Sequence, residues 1–312
     1  MSGRVVTVGS FMMDLVAYVG RRPLPGETIK GTEFSMVPGG KGFNQAIAAK
    51  RAGAASSMVG HLGDDVFGAE FLATLRGEQV SHDAVATSSA LGTGVGLPIV
   101  SADGENAIII ITRANDLVDE AFVLDHADVI ADADILLLQL ELPLAGNLAA
   151  ARIGRAQGRT VILTPAPAAP LDGFEGLVDY LVPNEIELAE LAPGVEGAEA
   201  QAQRLRSALG AKAVIVTLGS EGALVVTANA AHRVPAPQVT PVNTVGAGDT
   251  FCGNLAARLA NGDALLEAVQ WAVAAASLSV TVKGSALSAP RTEDVSAFIA
   301  QRREGVVDAH AH

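Results

Sequence analysis

The chain has 312 residues, 49% of them hydrophobic, and a formal net charge of −13, enough apolar content to bury one large core or two domains. An acidic chain without a basic block cannot displace the counterions of a nucleic-acid backbone, so DNA and RNA are not expected partners. A membrane span is not expected either: Ile135 to Leu142 is only strand-sized, and Val269 to Val282 is interrupted by Gln270, Ser277, Ser279 and Thr281.

The chain opens directly on RVVTVGS with no signal-peptide pattern. A single cysteine, Cys252, leaves nothing for an internal disulfide, so a cytoplasmic location is the expectation. In chain order, strands are expected at Val5 to Val8, Ser57 to Leu62, Ile135 to Gln139, Thr160 to Leu163, Tyr180 to Val182, Ala213 to Thr217 and Ala223 to Val226. Helices are expected at Phe43 to Ala52, Phe67 to Arg76, Leu144 to Gln157, Ala200 to Leu209, Thr250 to Ala260 and Leu265 to Ser279. Short β-branched runs alternating with Ala-rich helices predict a parallel sheet covered on both faces. Val16 to Met36 and Thr93 to Thr112 break the alternation and read as antiparallel strands, with turns at Pro25-Gly26 and Asp103-Gly104.

Two segments carry chemistry. In NTVGAGDTF, Asn243 to Phe251, the small residues Gly246, Ala247 and Gly248 stand at a helix start, where free N–H groups can converge on a phosphate. Asp249 follows immediately. An anion cradle beside a carboxylate that accepts a hydroxyl proton is what phosphoryl transfer to an alcohol needs. Taken alone, the segment also fits a glycine-rich turn with an aspartate helix cap. In PGGKGFNQAIAAKRAGA, Pro38 to Ala54, glycines again precede a helix, placing Lys41 and Asn44 at its mouth. It lacks the glycine spacing and the following Ser or Thr of a Walker loop, and a plain helix entry with a solvated lysine fits it too.

Together these segments resemble the signatures of the ribokinase, or PfkB, family of carbohydrate kinases. GSFMMD (Gly9 to Asp14), PGET (Pro25 to Thr28), GDDVFG (Gly63 to Gly68), QLELP (Gln139 to Pro143), TPAPA (Thr164 to Ala168), PNEIE (Pro183 to Glu187), TLGSEG (Thr217 to Gly222) and VTVKG (Val280 to Gly284) follow in the family's order. The resemblance implies a three-layer α/β/α, ribokinase-like (Rossmann-like) fold with a small β-sheet lid that often pairs with a second subunit. The core would comprise residues 1–13, 39–92 and 113–300, and the lid residues 14–38 and 93–112.

The activity implied is transfer of the ATP γ-phosphoryl group to a primary hydroxyl of a pentose, ribose or 2-deoxyribose. Asp249 would be the base, with the amides of Gly246, Ala247 and Gly248 stabilising charge on the transferring group. Met12, Asp14, Gly40, Lys41, Asn44 and Glu141 would hold the sugar. Read alone, Asp14 could cap a helix or sit in a solvated turn, and Glu141 could face water at a strand end. Asn184 and Glu187 would meet the water shell of Mg²⁺, although Glu185, Glu187 and Glu190 also make an ordinary acidic helix start. Thr217, Gly219, Ser220, Gly222, Gly248 and Val273 would wall the nucleotide. K⁺ would be held by backbone carbonyls of Val245, Ser279, Val282 and Gly284 and the hydroxyl of Ser288, with Asn243 where the family has a carboxylate, so K⁺ dependence should be weaker.

Met12 also departs from ribokinase proper, which has Asn two residues before the sugar-binding Asp. A thioether cannot satisfy a sugar hydroxyl there, so a 2-deoxy sugar should be accepted comparatively well. Two alternatives carry over: a nucleoside kinase in which Met12 meets a base, and a non-catalytic sugar sensor. The remaining candidates are bland. Cys252 reads as a buried inert thiol, and Trp271 as core or a nucleotide-pocket wall. His61, His82, His126 and His232 show no metal spacing, and His310 and His312 lie on the terminal tail.

Overall fold

The computed structural model describes residues 2–102 and 106–309. The first half runs β1 (Arg4–Val8), β2 (Met12–Val19), β3 (Gly31–Gly39), α1 (Lys41–Arg51), β4 (Ala55–Gly63), α2 (Val66–Gly77), β5 (Ser81–Ser88), β6 (Gly94–Ser101), β7 (Asn106–Ile111), α3 (Glu120–Asp125), α4 (Ala127–Ala131) and β8 (Ile135–Gln139). The second runs α5 (Leu144–Ala156), β9 (Thr160–Thr164), β10 (Tyr180–Leu181), α6 (Glu185–Leu191), α7 (Ala198–Leu209), β11 (Ala213–Thr217), β12 (Ala223–Thr227), β13 (Ala231–Val234), α8 (Ala247–Ala260), α9 (Leu265–Ser279) and α10 (Thr292–Ala309).

Strands apolar on both faces need a cover on each, and these have it. Alternate residues enter different cores: Val6, Val8, Leu136, Leu138, Val214 and Val216 pack with side chains of α3 to α7, whereas Val5, Ile135, Leu137, Ala213 and Ile215 pack with those of α1, α8 and α9. The expected three layers are therefore present. The nine-stranded sheet has the order β13-β12-β11-β10-β9-β8-β1-β4-β5. It is parallel from β5 to β11, but β12 and β13 are antiparallel, which corrects the all-parallel expectation. Five residues separate β11 from β12, too few for a parallel crossover, so the chain must reverse.

A second sheet, ordered β3-β2-β6-β7, stands apart from the first. Its two hairpins are antiparallel as expected, but β2 and β6 join them in parallel, and β2 starts as early as Met12. The turn expected at Asp103-Gly104 lies outside the described residues, as do His310 and His312. At its base Met13 and Val95 meet a cluster built on Phe11, Phe43 and Phe71. Phe71 meets Phe11 and Phe43 edge-on, at centroid distances of 5.2 and 4.8 Å.

β5, β13, α3, α4 and α10 have no counterpart among the expected elements. β5 and β13 are edge strands with few buried residues, and the described side chains of α10, residues 292–302, are mostly exposed, so these three offer no plain apolar signal. No helix among the described residues is long and apolar enough to cross a membrane.

Helices α1 and α8 touch so closely that only glycine fits between them. A Cβ on Gly253 would lie 2.5 Å from Ala48 Cβ and 2.6 Å from the carbonyl oxygen of Gln45. Gly253→Val is therefore expected to lower stability by about 2–3 kcal/mol through overpacking, read from the urea unfolding midpoint. An unchanged midpoint contradicts this contact.

Candidate active site

Polar residues are scarce in the central strands except at their carboxyl ends, where a crevice forms in open α/β sheets. Ser10 follows β1, Gln139 ends β8 with Glu141 two residues beyond, and Thr164 ends β9. Asn184 and Thr217 form a parallel bridge at the same edge. Both α1 and α8 begin there. The two sequence segments, some two hundred positions apart, thus converge: Asn44 Nδ2 donates to Asp249 Oδ2 at 2.8 Å, and Gln45 Nε2 donates to Asp249 Oδ1 at 3.1 Å.

Asp249 is buried at 9% exposure. Burial raises its pKa, with Lys41, Asn44 and Gln45 pulling the other way. Lys41 is likewise opposed by burial, yet the carboxylates of Asp249, Glu141 and Glu187 outweigh it and hold the ammonium above the ordinary lysine range. Glu141 is raised by burial despite Lys41 and Ser10. Its Oε2 accepts from the Ser10 hydroxyl and, at 2.9 Å, from the Lys41 N–H, so this oxygen anchors the start of α1.

Asp14 lies within β2, not in a turn or cap, and burial with the Glu141 charge pushes its pKa up to about 6. Its carboxylate lies across the small sheet: a Cβ on Gly96 would fall 2.2 Å from Oδ1, and one on Gly39 2.8 Å from Oδ2. Met12 is 3% exposed, and its sulfur lies 3.8 Å from Asn115 Nδ2. That amide is already engaged by the N–H and carbonyl of Phe11.

At the start of α8 a cavity of about 490 Å³ opens, lined by Thr217, Gly219, Ser220, Gly222, Gly248 and Val273, all expected at the nucleotide, and by Asn184, expected near its metal ion. Phe251, Pro237, Val239 and Pro241 complete its apolar walls. Trp271 is not among them. It donates to Asn254 Oδ1 at 3.0 Å under the Arg258 guanidinium, on a separate groove. Gly246, at φ +79°, turns the chain into α8, which has no side-chain cap. Ala247 donates to the Thr244 carbonyl at 3.3 Å, and the N–H groups of Gly248 and Asp249 have no hydrogen-bond partner among the described residues.

Asn184 and Glu187 form a capping box at α6, which uses both Glu187 oxygens and Asn184 Oδ1. Glu187 does not line that cavity, and its pKa is raised by burial. The turn before α8 meets the loop after α9: Val242 and Asn243 both donate to the Val280 carbonyl. Ser279 and Ser288 are buried there, while Val245 and Val282 are about half exposed. Asn243 Oδ1 accepts from Val245 N–H at 2.8 Å. Gly284, at φ +134°, lies beside Ser288.

Four buried site residues were not foreseen: Ser10, Gln45, Gln139 and Thr164. The available signal was a polar residue closing an apolar strand, as in ILLLQ and TVILT. Cys252 is buried as expected, accepts a hydrogen bond from Thr164 at 3.2 Å, and has its thiol pushed up to about 12 by burial.

The chain as a whole is similar to known carbohydrate kinases. The model of the pfkB family of carbohydrate kinases matches residues 2–292. A ribokinase of Schizosaccharomyces pombe is 39% identical over 305 residues, covering 93% of this chain and 96% of that protein. A deoxyribokinase of Salmonella typhimurium is 33% identical over 302 residues, covering 95% and 98%. The structure of Arabidopsis thaliana ribokinase complexed with ribose and ATP superposes with a TM-score of 0.89 at 33% identity, over 96% of this chain and 99% of that one. With a shared fold and a family match over nearly its whole length, the chain belongs to the pfkB family of carbohydrate kinases.

Proposed function

We propose that the protein is an ATP-dependent pentose kinase that phosphorylates the primary 5-hydroxyl of ribose or 2-deoxyribose, with Asp249 as the base. The observation that carries this reading is the meeting of Asp249, Asn44 and Lys41 beside the cavity walled by Gly248. The sugar oxygen forms a bond to the γ-phosphorus as the bond to the bridging oxygen breaks, ADP leaves, and the hydroxyl proton passes to Asp249. The unpartnered amides of Gly248 and Asp249 meet the charge on the transferring group, as does the ammonium of Lys41.

For the sugar, Asp14, Glu141 and Asn44 offer acceptors. Asn44 Oδ1 is buried with no partner. A sugar hydroxyl donating to it relieves a cost of about 1–3 kcal/mol. Gly40 brings the backbone into the same wall. Asp14 pairs with Gly96, which pairs with Ile110, so all three share the face of the small sheet assigned to cover the sugar. Closure of that sheet excludes water from the phosphoryl group. Phe34, Met36 and Ile108 to Ile111 remain exposed on its outer strands, which supports pairing with a second copy.

ATP occupies the cavity walled by Thr217, Gly219, Ser220, Gly222 and Val273. Mg²⁺ supplies charge neutralisation on the phosphates when bound. Asn184 and Glu187 fit an outer-shell role, since the capping box already takes one bond at each oxygen. Asn243, Val245, Ser279, Val282, Gly284 and Ser288 provide neutral oxygens only. That donor set suits a weakly held K⁺ rather than a divalent ion.

Asp249→Asn is expected to lower kcat at least about a hundredfold with sugar affinity little changed. Retention of more than about a tenth of the rate contradicts the assignment. Because Met12 offers no hydroxyl partner, kcat/KM for ribose should exceed that for 2-deoxyribose by less than about a hundredfold. A larger preference for ribose removes the specificity role of Met12.

A further inference from the structure

Asp249 is the last member of a chain of side chains that starts on β8. An ionised carboxylate only accepts hydrogen bonds, so Gln45 must turn its Nε2 toward Asp249 Oδ1, 3.1 Å away. The other end of the amide then faces Gln139, whose Nε2 donates to Gln45 Oε1 at 2.8 Å. Gln45 Nε2 also reaches Thr164 Oγ1 at 3.4 Å, and Thr164 hands its own hydrogen to Cys252 Sγ. Gln45 and Gln139 are 0% and 1% exposed, so water is no alternative partner.

We propose that Gln45 is a positioning residue for proton acceptance by Asp249, and that Gln139 acts through it by locking the donor end of its amide onto the carboxylate. This rests on Asp249 being the base. A flipped Gln45 would set oxygen against the carboxylate and, with the Gln139 amide oriented as it is, N–H against the Gln139 N–H. Besides the amides of Asn44 and Gln45, the groups facing Asp249 are Lys41 on α1, Glu141 after β8, Glu187 on α6 and Cys252 on α8. Burial raises the Asp249 pKa, and the Gln45 donor is among the groups that bring it back down. Losing that donor moves the carboxyl further up. Since the base must be ionised, the acidic limb of the kcat profile moves to higher pH.

The test is kcat against pH for the full chain and for Gln45→Leu, Gln139→Leu and the double variant, with sugar affinity measured alongside. Gln45→Leu should lower kcat about tenfold or more and move the acidic limb up by about one pH unit. Gln139→Leu should shift both in the same direction by less. The double variant should match Gln45→Leu within about twofold, because Gln139 works only through Gln45. A purely structural role would lower stability without moving the limb. Unchanged kcat and limb in Gln139→Leu, or losses that multiply in the double variant, overturn the proposal. Where Gln139→Leu does not fold, the unbranched Gln139→Met is read by the same criteria. A dead Asp249→Asn with a silent Gln139→Leu refutes the lock alone, whereas an active Asp249→Asn refutes the base assignment itself.

Discussion

The contact between α1 and α8 is the constraint on which the site depends. Each helix alone presents a glycine-rich entry and a few polar side chains. Packed at the distance that Gly253 permits, they set Asn44 and Gln45 against both oxygens of Asp249. The apolar residues below, Ala49 of α1 with Phe251 and Leu255 of α8, join the core under one face of the sheet. Geometry of the reacting groups is therefore tied to hydrophobic packing a turn or two away.

Charge is the second organising element. Four carboxylates, Asp14, Glu141, Glu187 and Asp249, have raised pKa values in or beside the crevice, chiefly because each is at least partly withdrawn from solvent. Lys41 is the cation that Glu141, Glu187 and Asp249 share. On the proposed function, such a site attracts a neutral polyol through acceptors, while ATP brings its charge in against backbone amides. The arrangement separates the roles: Glu141 secures the start of α1 with one oxygen, Asp14 lies over glycine backbone on the small sheet, and Asp249 is held by amides.

Much of this could be read from the sequence because strong local signals agreed with the fold. Val5 to Val8 and Ile135 to Gln139 are apolar runs bounded by polar residues, and the helices after them keep a clear apolar face. The motif glycines and Asp249 stood out through their company, since alone they also fit a glycine-rich turn with a helix cap, and only the second segment and the ordered run of motifs singled them out. What escaped was non-local. Gln45 and Gln139 are ordinary amides until the sheet edge brings them within 2.8 Å. The Asn184–Glu187 pair, expected at the water shell of a metal ion, forms a helix cap that the same spacing encodes. The reversal at β12 was written in a five-residue connection, a length signal that outweighs strand propensity.

A crystal structure with a bound pentose and a non-hydrolysable ATP analogue tests the central claim most directly. It should place the primary hydroxyl about 3 Å from the Asp249 carboxylate, with the terminal phosphoryl group on the Gly248 amide side. A sugar hydroxyl out of reach of Asp249, or a nucleotide seated away from Gly248, would contradict the account.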